Sequence, residues 1–305
     1  MNEKLNPGKI VVIGSANVDM VVKTDKHPLP GETRLGGVFF MNAGGKGANQ
    51  AVAAARLGGN VTLVTKVGND IFGKQTLEGF KKERINTDYV FVDESVASGT
   101  ALIVVNKDGE NSIVVAPGAN ANLLPADIDK VKDIAAAEIL LLQLEIPLET
   151  ISAVVKKSIA NDQNVIVNPA PAQKLSDELL NGLFLLTPNE TEASLLTDII
   201  VDDETTASQA ASIFLSKGVK NVIITLGKQG AYFQNENLKL KIDAPVVMAI
   251  DTTAAGDTFN GALAVAITEN MNWEQAIKFA VTAASISVTK MGAQSSIPYR
   301  GEIMV

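Results

Sequence analysis

Short apolar runs alternate with longer amphipathic stretches along most of the chain, the pattern of strands alternating with helices. KIVVIGS (9–15) is an apolar run closed by Gly and Ser and reads as a buried strand. Residues 19–42 are turn-rich, with Pro28, Pro30, Gly31, Gly36 and Gly37. GGKGANQAVAAARLG (44–58) reads as a Gly-rich turn feeding an Ala-rich helix that Gly58 and Gly59 stop. VTLVTKVG (61–68) is the next strand, followed by a helix over 72–84. Between 88 and 116 the pattern changes: TALIVVN and NSIVVA flank Asp108-Gly109, and Asp-Gly between β-rich runs predicts a hairpin.

From about 125 the alternation is regular. It predicts a helix over 125–136, strands at 138–144, 164–170 and 184–188, and helices over 148–160, 190–197 and 204–217. NVIITLG (221–227) is another buried strand; two short antiparallel strands near 230–242 and helices over 255–269 and 273–289 close the chain. The expected fold is α/β: a doubly wound, mainly parallel sheet with helices on both faces. It forms a single domain over 1–305, with a small β lid built from insertions at about 19–42 and 88–116.

Composition narrows the chemistry. Lys plus Arg number 26 against 34 Asp plus Glu, a net charge of −8, so neither nucleic acid nor an anionic membrane is an expected partner. The chain has no Cys and one His, His27, which excludes thiolate nucleophiles, Cys-based zinc sites and any pair of His ligands. A general base is therefore a carboxylate, Lys or Tyr. The N-terminal MNEKLNPGK lacks a secretory pattern, and the apolar stretch 139–148 is interrupted by Gln143, Glu145 and Pro147. A soluble, cytoplasmic protein is the expectation.

Familiar phosphate motifs are missing: Gly45-Lys46 is followed by Gly47, Gly227-Lys228 by Gln229, and VVIGSANVD carries a single Gly. DTTAAGDTFNGALAVAI (251–267) offers another solution. Small residues precede an apolar helix, so free N–H groups at about 255–257 form an anion site, and Gly256 lets a phosphate approach. Asp257 in the first turn either only complements the helix dipole or caps the helix, or it accepts a proton from a hydroxyl aimed at that phosphate. Both readings stand on chemistry alone. Asn17 and Asp19 lie past the first strand, Glu145 immediately follows the strand EILLLQL, and Lys46 and Asn49 sit at a helix entry. Singly each reads as a solvated loop residue; together they look like a polyol-binding set at the carboxyl edge of a sheet.

GGKGANQA (44–51) and DTTAAGDTFNGA (251–262) resemble the two signature segments of the ribokinase-like carbohydrate kinases. GSANVD, PGE, LQLEIP, NPAPA, TPNETEA, TLGKQGA and GAQSSIP follow the same family in order along nearly the whole chain. The resemblance implies transfer of the ATP γ-phosphoryl group to the 5-hydroxyl of ribose, and a lid that also forms a homodimer interface. It implies that Asn17, Val18, Asp19, Gly45, Lys46, Gly47, Ala48, Asn49 and Glu145 hold the sugar and that Asp257 is the base. Ala255, Gly256 and Asp257 would form the anion hole. The nucleotide would meet Asn189, Thr225, Leu226, Gly227, Lys228, Gln229, Gly230, Gly256, Asp257 and Val281. Asn189 and Glu192 would organise Mg²⁺ through water, and Asp251, Thr253, Ser287, Lys290, Gly292 and Ser296 would hold K⁺. Val281 stands where the family often has Asn or His, leaving base recognition there to backbone and packing. A kinase for deoxyribose, a ketohexose or a nucleoside is the alternative within the class; a silent sugar or nucleotide sensor is the alternative outside it.

Overall fold

The computed structural model describes residues 8–303; the N-terminal segment read above for a secretory pattern lies largely outside them. The chain runs through β1 (Lys9–Ile13), β2 (Asn17–Lys23), β3 (Val38–Gly44), α1 (Lys46–Arg56), β4 (Asn60–Gly68), α2 (Ile71–Lys82) and β5 (Asn86–Asp93). A hairpin of β6 (Gly99–Val105) and β7 (Asn111–Ala116) precedes α3 (Pro125–Ile128), β8 (Ile139–Leu142), α4 (Leu148–Ile159), β9 (Asn164–Val167) and α5 (Asp177–Leu180). Then come β10 (Leu185–Leu186), α6 (Glu190–Thr197), α7 (Glu204–Ser216), β11 (Asn221–Thr225), β12 (Ala231–Asn235) and β13 (Lys239–Ile242). Helices α8 (Ala255–Thr268) and α9 (Trp273–Ser287) follow.

One sheet has nine strands in the order β13-β12-β11-β10-β9-β8-β1-β4-β5. It is parallel from β5 to β11, and β12 and β13 add an antiparallel edge. Side chains alternate between its faces, as the period of two requires. Ile10 and Val12 join one core beneath α1, α8 and α9, while Val11 and Ile13 join the other beneath α4 and α7. Each fully buried Ile or Leu contributes roughly 1.5–3 kcal/mol, so both faces hold the sheet. From β1 the chain runs outward to β4 and β5, then returns to β8 on the other side. That reversal opens a crevice at the carboxyl ends of β1 and β8, where ligands bind in such sheets.

The second sheet has four strands in the order β3-β2-β6-β7. β2 leaves directly from β1, and β3 returns into α1, so this lid is tethered at the crevice. The second lid segment starts later than the expected 88. Residues 86–93 form β5, which pairs in parallel with β4 in the large sheet, and only 99–116 belong to the lid. The helix expected over 125–136 is also broken, into α3 and a 3₁₀ turn at Lys132–Ala136. Its buried residues Ile128, Val131 and Ile134 recur every third position, which suits three residues per turn better than 3.6. Helix α5, with four residues, is too short to register as a periodic pattern. Among the described residues no helix is long and apolar enough to cross a membrane.

Candidate active site

The turn before α1 is built by close approach. Gly45 adopts φ +88°, and a Cβ there would lie 2.7 Å from the Asn17 nitrogen. A Cβ on Gly47 would lie 2.6 Å from the Gly14 carbonyl carbon. Glycine at both lets the helix start press against the end of β1. Gly45, as N-cap, has no side chain to satisfy the free N–H groups. Glu145 does so from across the sheet: its Oε2 accepts from the Lys46 N–H at 3.0 Å and from the Ser15 hydroxyl. Gly47 and Ala48, expected among the sugar-binding residues, have another role. The Ala48 N–H donates to the Ser15 carbonyl at 2.8 Å, the Gly47 N–H points at the Ser15 hydroxyl, and the Ala48 side chain is buried in the core. Both fasten the helix to the strand.

Asn17 is oriented by a residue that motif reading passed over. Asn120 donates to Asn17 Oδ1 at 2.7 Å, while Asn120 Oδ1 accepts from the Ala16 N–H at 2.9 Å. The Asn17 amide N–H₂ is thereby turned away from Asn120. Val18 is buried in β2, so its side chain offers packing rather than polarity. Asp19 has no protein donor among the described residues; burial, then the charges of Glu145 and Asp257, push its carboxyl up to about 6. Lys46 faces the same charges: burial lowers its pKa, but Asp257, Glu145 and Glu192 outweigh that and raise it.

Asp257 lies in the first turn of α8 and is 6% exposed. The N-cap is Ala254, in the left-handed region at φ +59°, and no side chain caps this helix. The carboxylate instead reaches α1, where Asn49 Nδ2 donates to its Oδ2 at 2.9 Å and Gln50 Nε2 to its Oδ1 at 3.0 Å. A capping role for Asp257 is thus excluded. The Ala255 N–H donates to the Thr252 carbonyl at 3.2 Å, which removes it from the expected anion hole. Among the described residues the Gly256 and Asp257 N–H groups have no such partner, and nothing outside the adjoining helix backbone lies within 4 Å of where a Gly256 Cβ would stand. Two donors at a positive helix end beside open space suit an anion.

A cavity of about 190 Å³ joins Asp257 and Gly256 to Lys46, Asn189, Glu192 and Asn260. A second, of about 660 Å³, shares Asn189, Thr225, Ala255 and Gly256 with it and extends past Gly227, Lys228, Gly230 and Val281. Gly256 stands where the two meet. Leu226 is buried, with its N–H on the Gly230 carbonyl at 2.8 Å, and Gln229 donates to the Asp202 carbonyl at 3.3 Å. Neither of these expected nucleotide contacts lines the larger cavity. Its missed walls are Ala244 to Val247, Ala249, Phe259, Ala284, Ser285 and Val288. The only hint in the sequence was an apolar run, PVVMAI (245–250), outside any helix or strand.

Asn189 and Glu192 form a reciprocal capping box on α6, at 2.8 and 2.9 Å. Glu192 Oε2 is used, and burial raises the pKa of the group. Its place on the cavity wall suits a cation held through water. Asp251 gathers the other expected cation site: Oδ1 accepts from the Thr253 N–H and hydroxyl, and Oδ2 from the Gly292 N–H at 2.9 Å. Burial raises its pKa, but these hydrogen bonds outweigh it and keep the carboxyl below its ordinary value. Ser287 and Ser296 are fully buried, and each hydroxyl donates to the carbonyl three residues back at 2.8 Å, leaving oxygen lone pairs to accept. Lys290 turns its ammonium to Glu302, so only its backbone is available. These oxygens fit a monovalent cation better than a nitrogen- or sulfur-loving metal.

Residues 7–300 match the model of the pfkB family carbohydrate kinases. The chain is 45% identical to the ribokinase of Haemophilus influenzae over 296 residues, 97% of each chain. It is 40% identical to the deoxyribokinase of Salmonella typhi over 291 residues, 95% of each. The structure of Arabidopsis thaliana ribokinase complexed with ribose and ATP superposes with a TM-score of 0.90 at 35% identity, covering 97% of this chain and 96% of that one. The chain belongs to the pfkB family of carbohydrate kinases.

Proposed function

We propose that the protein transfers the γ-phosphoryl group of ATP to the 5-hydroxyl of D-ribose. The observation that carries this reading is the placement of Asp257. One buried carboxylate, held by two amide donors, stands beside two free N–H groups where a small polar cavity meets a larger one. The ribokinase of Haemophilus influenzae and the ribose and ATP complex of the Arabidopsis enzyme support the choice of substrates.

In this mechanism Asp19, Asn17 and Glu145 hold the sugar hydroxyls. The buried Asn49 Oδ1, without a donor among the described residues, would accept another. An unmet buried acceptor costs roughly 1–3 kcal/mol, so a ligand hydroxyl there stabilises the bound state. Asp257 takes the proton of the attacking hydroxyl, and the Gly256 and Asp257 N–H groups meet charge on the transferring phosphoryl. Lys46 adds a cation on the same cavity wall. Asn189 and Glu192 would hold Mg²⁺ through water, which neutralises phosphate charge. Asp251, Thr253, Ser287, Lys290, Gly292 and Ser296 would hold K⁺, which adds positive charge near the anion hole. The lid closes over the sugar and excludes water that would otherwise accept the phosphoryl group. Its apolar side chains, among them Val38, Phe39, Ile113 and Val114, are about half exposed or more and would be covered by a second lid in a homodimer. A cytoplasmic location accompanies this reading, since ATP is supplied there.

The deoxyribokinase relative keeps deoxyribose as a second reading. A panel of ribose, deoxyribose, ketohexoses and nucleosides, coupled to ADP release, tests the assignment. Ribose should give the highest kcat/KM, and another substrate exceeding it by about tenfold overturns the proposal. Repeating the panel with K⁺ replaced by a large organic cation should lower turnover; unchanged turnover removes the K⁺ site.

A further inference from the structure

The general base and the anion hole are joined by side chains that lie within the segments quoted for the family resemblance but have been given no role so far. Gln50 Nε2 donates to Asp257 Oδ1 at 3.0 Å and to Asn168 Oδ1 at 3.1 Å. Gln143 in turn donates to Gln50 Oε1 at 2.6 Å, which fixes the Gln50 amide with its N–H₂ toward Asp257. Asn168 Nδ2 donates to the Thr187 carbonyl at 2.9 Å, and the Thr187 hydroxyl to Asn260 Oδ1 at 2.6 Å. Asn260 Nδ2 then donates to the Gly256 carbonyl at 2.8 Å. Gln50, Gln143, Asn168, Thr187 and Asn260 are all buried.

The last contact closes a ring. The Gly256 carbonyl belongs to the peptide group whose N–H is that of Asp257. A donor on the carbonyl oxygen draws charge through the planar amide and strengthens that N–H as a donor. The chain therefore begins on the carboxylate of Asp257 and ends on its own peptide group. Each amide has one orientation that satisfies its neighbours, so the order of donors is set along the whole path.

We propose that Gln50, Thr187 and Asn260 are positioning residues for phosphoryl transfer, aligning the Asp257 carboxylate and the Asp257 N–H to each other through one buried hydrogen-bonded chain. The proposal rests on Asp257 acting as the base. Gln50 acts through the carboxylate, whereas Thr187 acts through Asn260 and the peptide group. The two ends should then respond differently when the carboxylate is removed.

The test is steady-state kinetics on Gln50→Met, Thr187→Val and Thr187→Ser, each alone and in an Asp257→Asn background, with ribose and ATP. Gln50→Met and Thr187→Val should each lower kcat about tenfold or more, with both KM values within about threefold of the parent. Thr187→Ser should restore most of the loss. With Asp257→Asn, which lowers turnover roughly 10²- to 10⁴-fold, Gln50→Met should add little, while Thr187→Val should still reduce the residual rate. Equal losses from Gln50→Met in both backgrounds, raised KM with unchanged kcat, or no rescue by Thr187→Ser would overturn the chain. Thr187→Val lacks the hydroxyl and Thr187→Ser keeps it, so this pair decides the matter if Gln50→Met does not fold. Parent-like turnover in Asp257→Asn defeats the base assignment; an impaired Asp257→Asn beside parent-like Gln50→Met and Thr187→Val defeats only this proposal.

Discussion

Asp19 has a carboxyl pushed up to about 6, first by burial and then by Glu145 and Asp257. The folded chain holds its proton more tightly than the unfolded one, so stability falls as pH rises from about 4 to 6, and the penalty is complete above 6. A shift of this size corresponds to about 3 kcal/mol. Asp19→Asn removes the charge, so the unliganded protein should melt at higher temperature at pH 7.5, with no such gain at pH 4. The same change should raise KM for the sugar by about tenfold or more. A melting temperature unchanged at pH 7.5 would show that this charge is not strained. The carboxylates were readable as residues because Asp19 and Glu145 stand just past apolar strand runs and Asp257 follows Gly256 at a helix start. Gln50 was not, although it follows Asn49 directly. Its partner Asn168 lies 118 positions away, and nothing in the local sequence shows which way a glutamine in a helix points.

At the scale of the element, α1 carries Lys46, Asn49 and Gln50 as one rigid unit. Its start is capped by Glu145, 99 residues away, rather than by a neighbour in sequence. Its far end is tied down by Arg56, which donates to the Gln294 and Ile297 carbonyls at 2.6 and 2.9 Å and pairs with Glu83. The helix thus joins the crevice to the loop that carries Gly292 and Ser296. Gly47→Ala would place a Cβ 2.6 to 2.7 Å from the backbone of Gly14 and Ser15. Overpacking of this kind typically costs 1–3 kcal/mol, and we expect about that loss of stability in denaturant unfolding. The displaced helix should also lower kcat/KM with ribose by about tenfold or more. Stability and turnover both equal to the parent would show that the contact can yield. Gly58→Ala has open space around its Cβ but a φ of +100°, so backbone strain rather than a clash should govern it.

For the whole molecule, the lid presents unpaired apolar surface. All of β7 is exposed, including Ile113, Val114 and Val115, and it is an edge strand of its sheet. An exposed apolar edge invites pairing unless another surface covers it. Light scattering at micromolar protein should report a dimer. Val114→Lys, which places a charge on a side chain 67% exposed in one chain, should shift it toward monomer without loss of helical content. A parent monomer, or a dimer unaffected by this change, removes the lid interface.

The sequence by itself determined the strand and helix alternation, the hairpin at Asp108-Gly109, the Gly-rich start of α1 and the small-residue entry to α8. These depend on side-chain periodicity and on backbone freedom within a few residues. Tertiary structure alone decided that residues 86–93 join the large sheet, because strand pairing is settled by which neighbour stands beside β4. It also decided that Ala255 turns its N–H to Thr252 and that Glu145 caps a helix it does not precede. Above all, it decided that Asp257 caps nothing and is held by α1. Buried polar groups must find partners wherever the fold brings them, and those partners lie up to 208 residues apart.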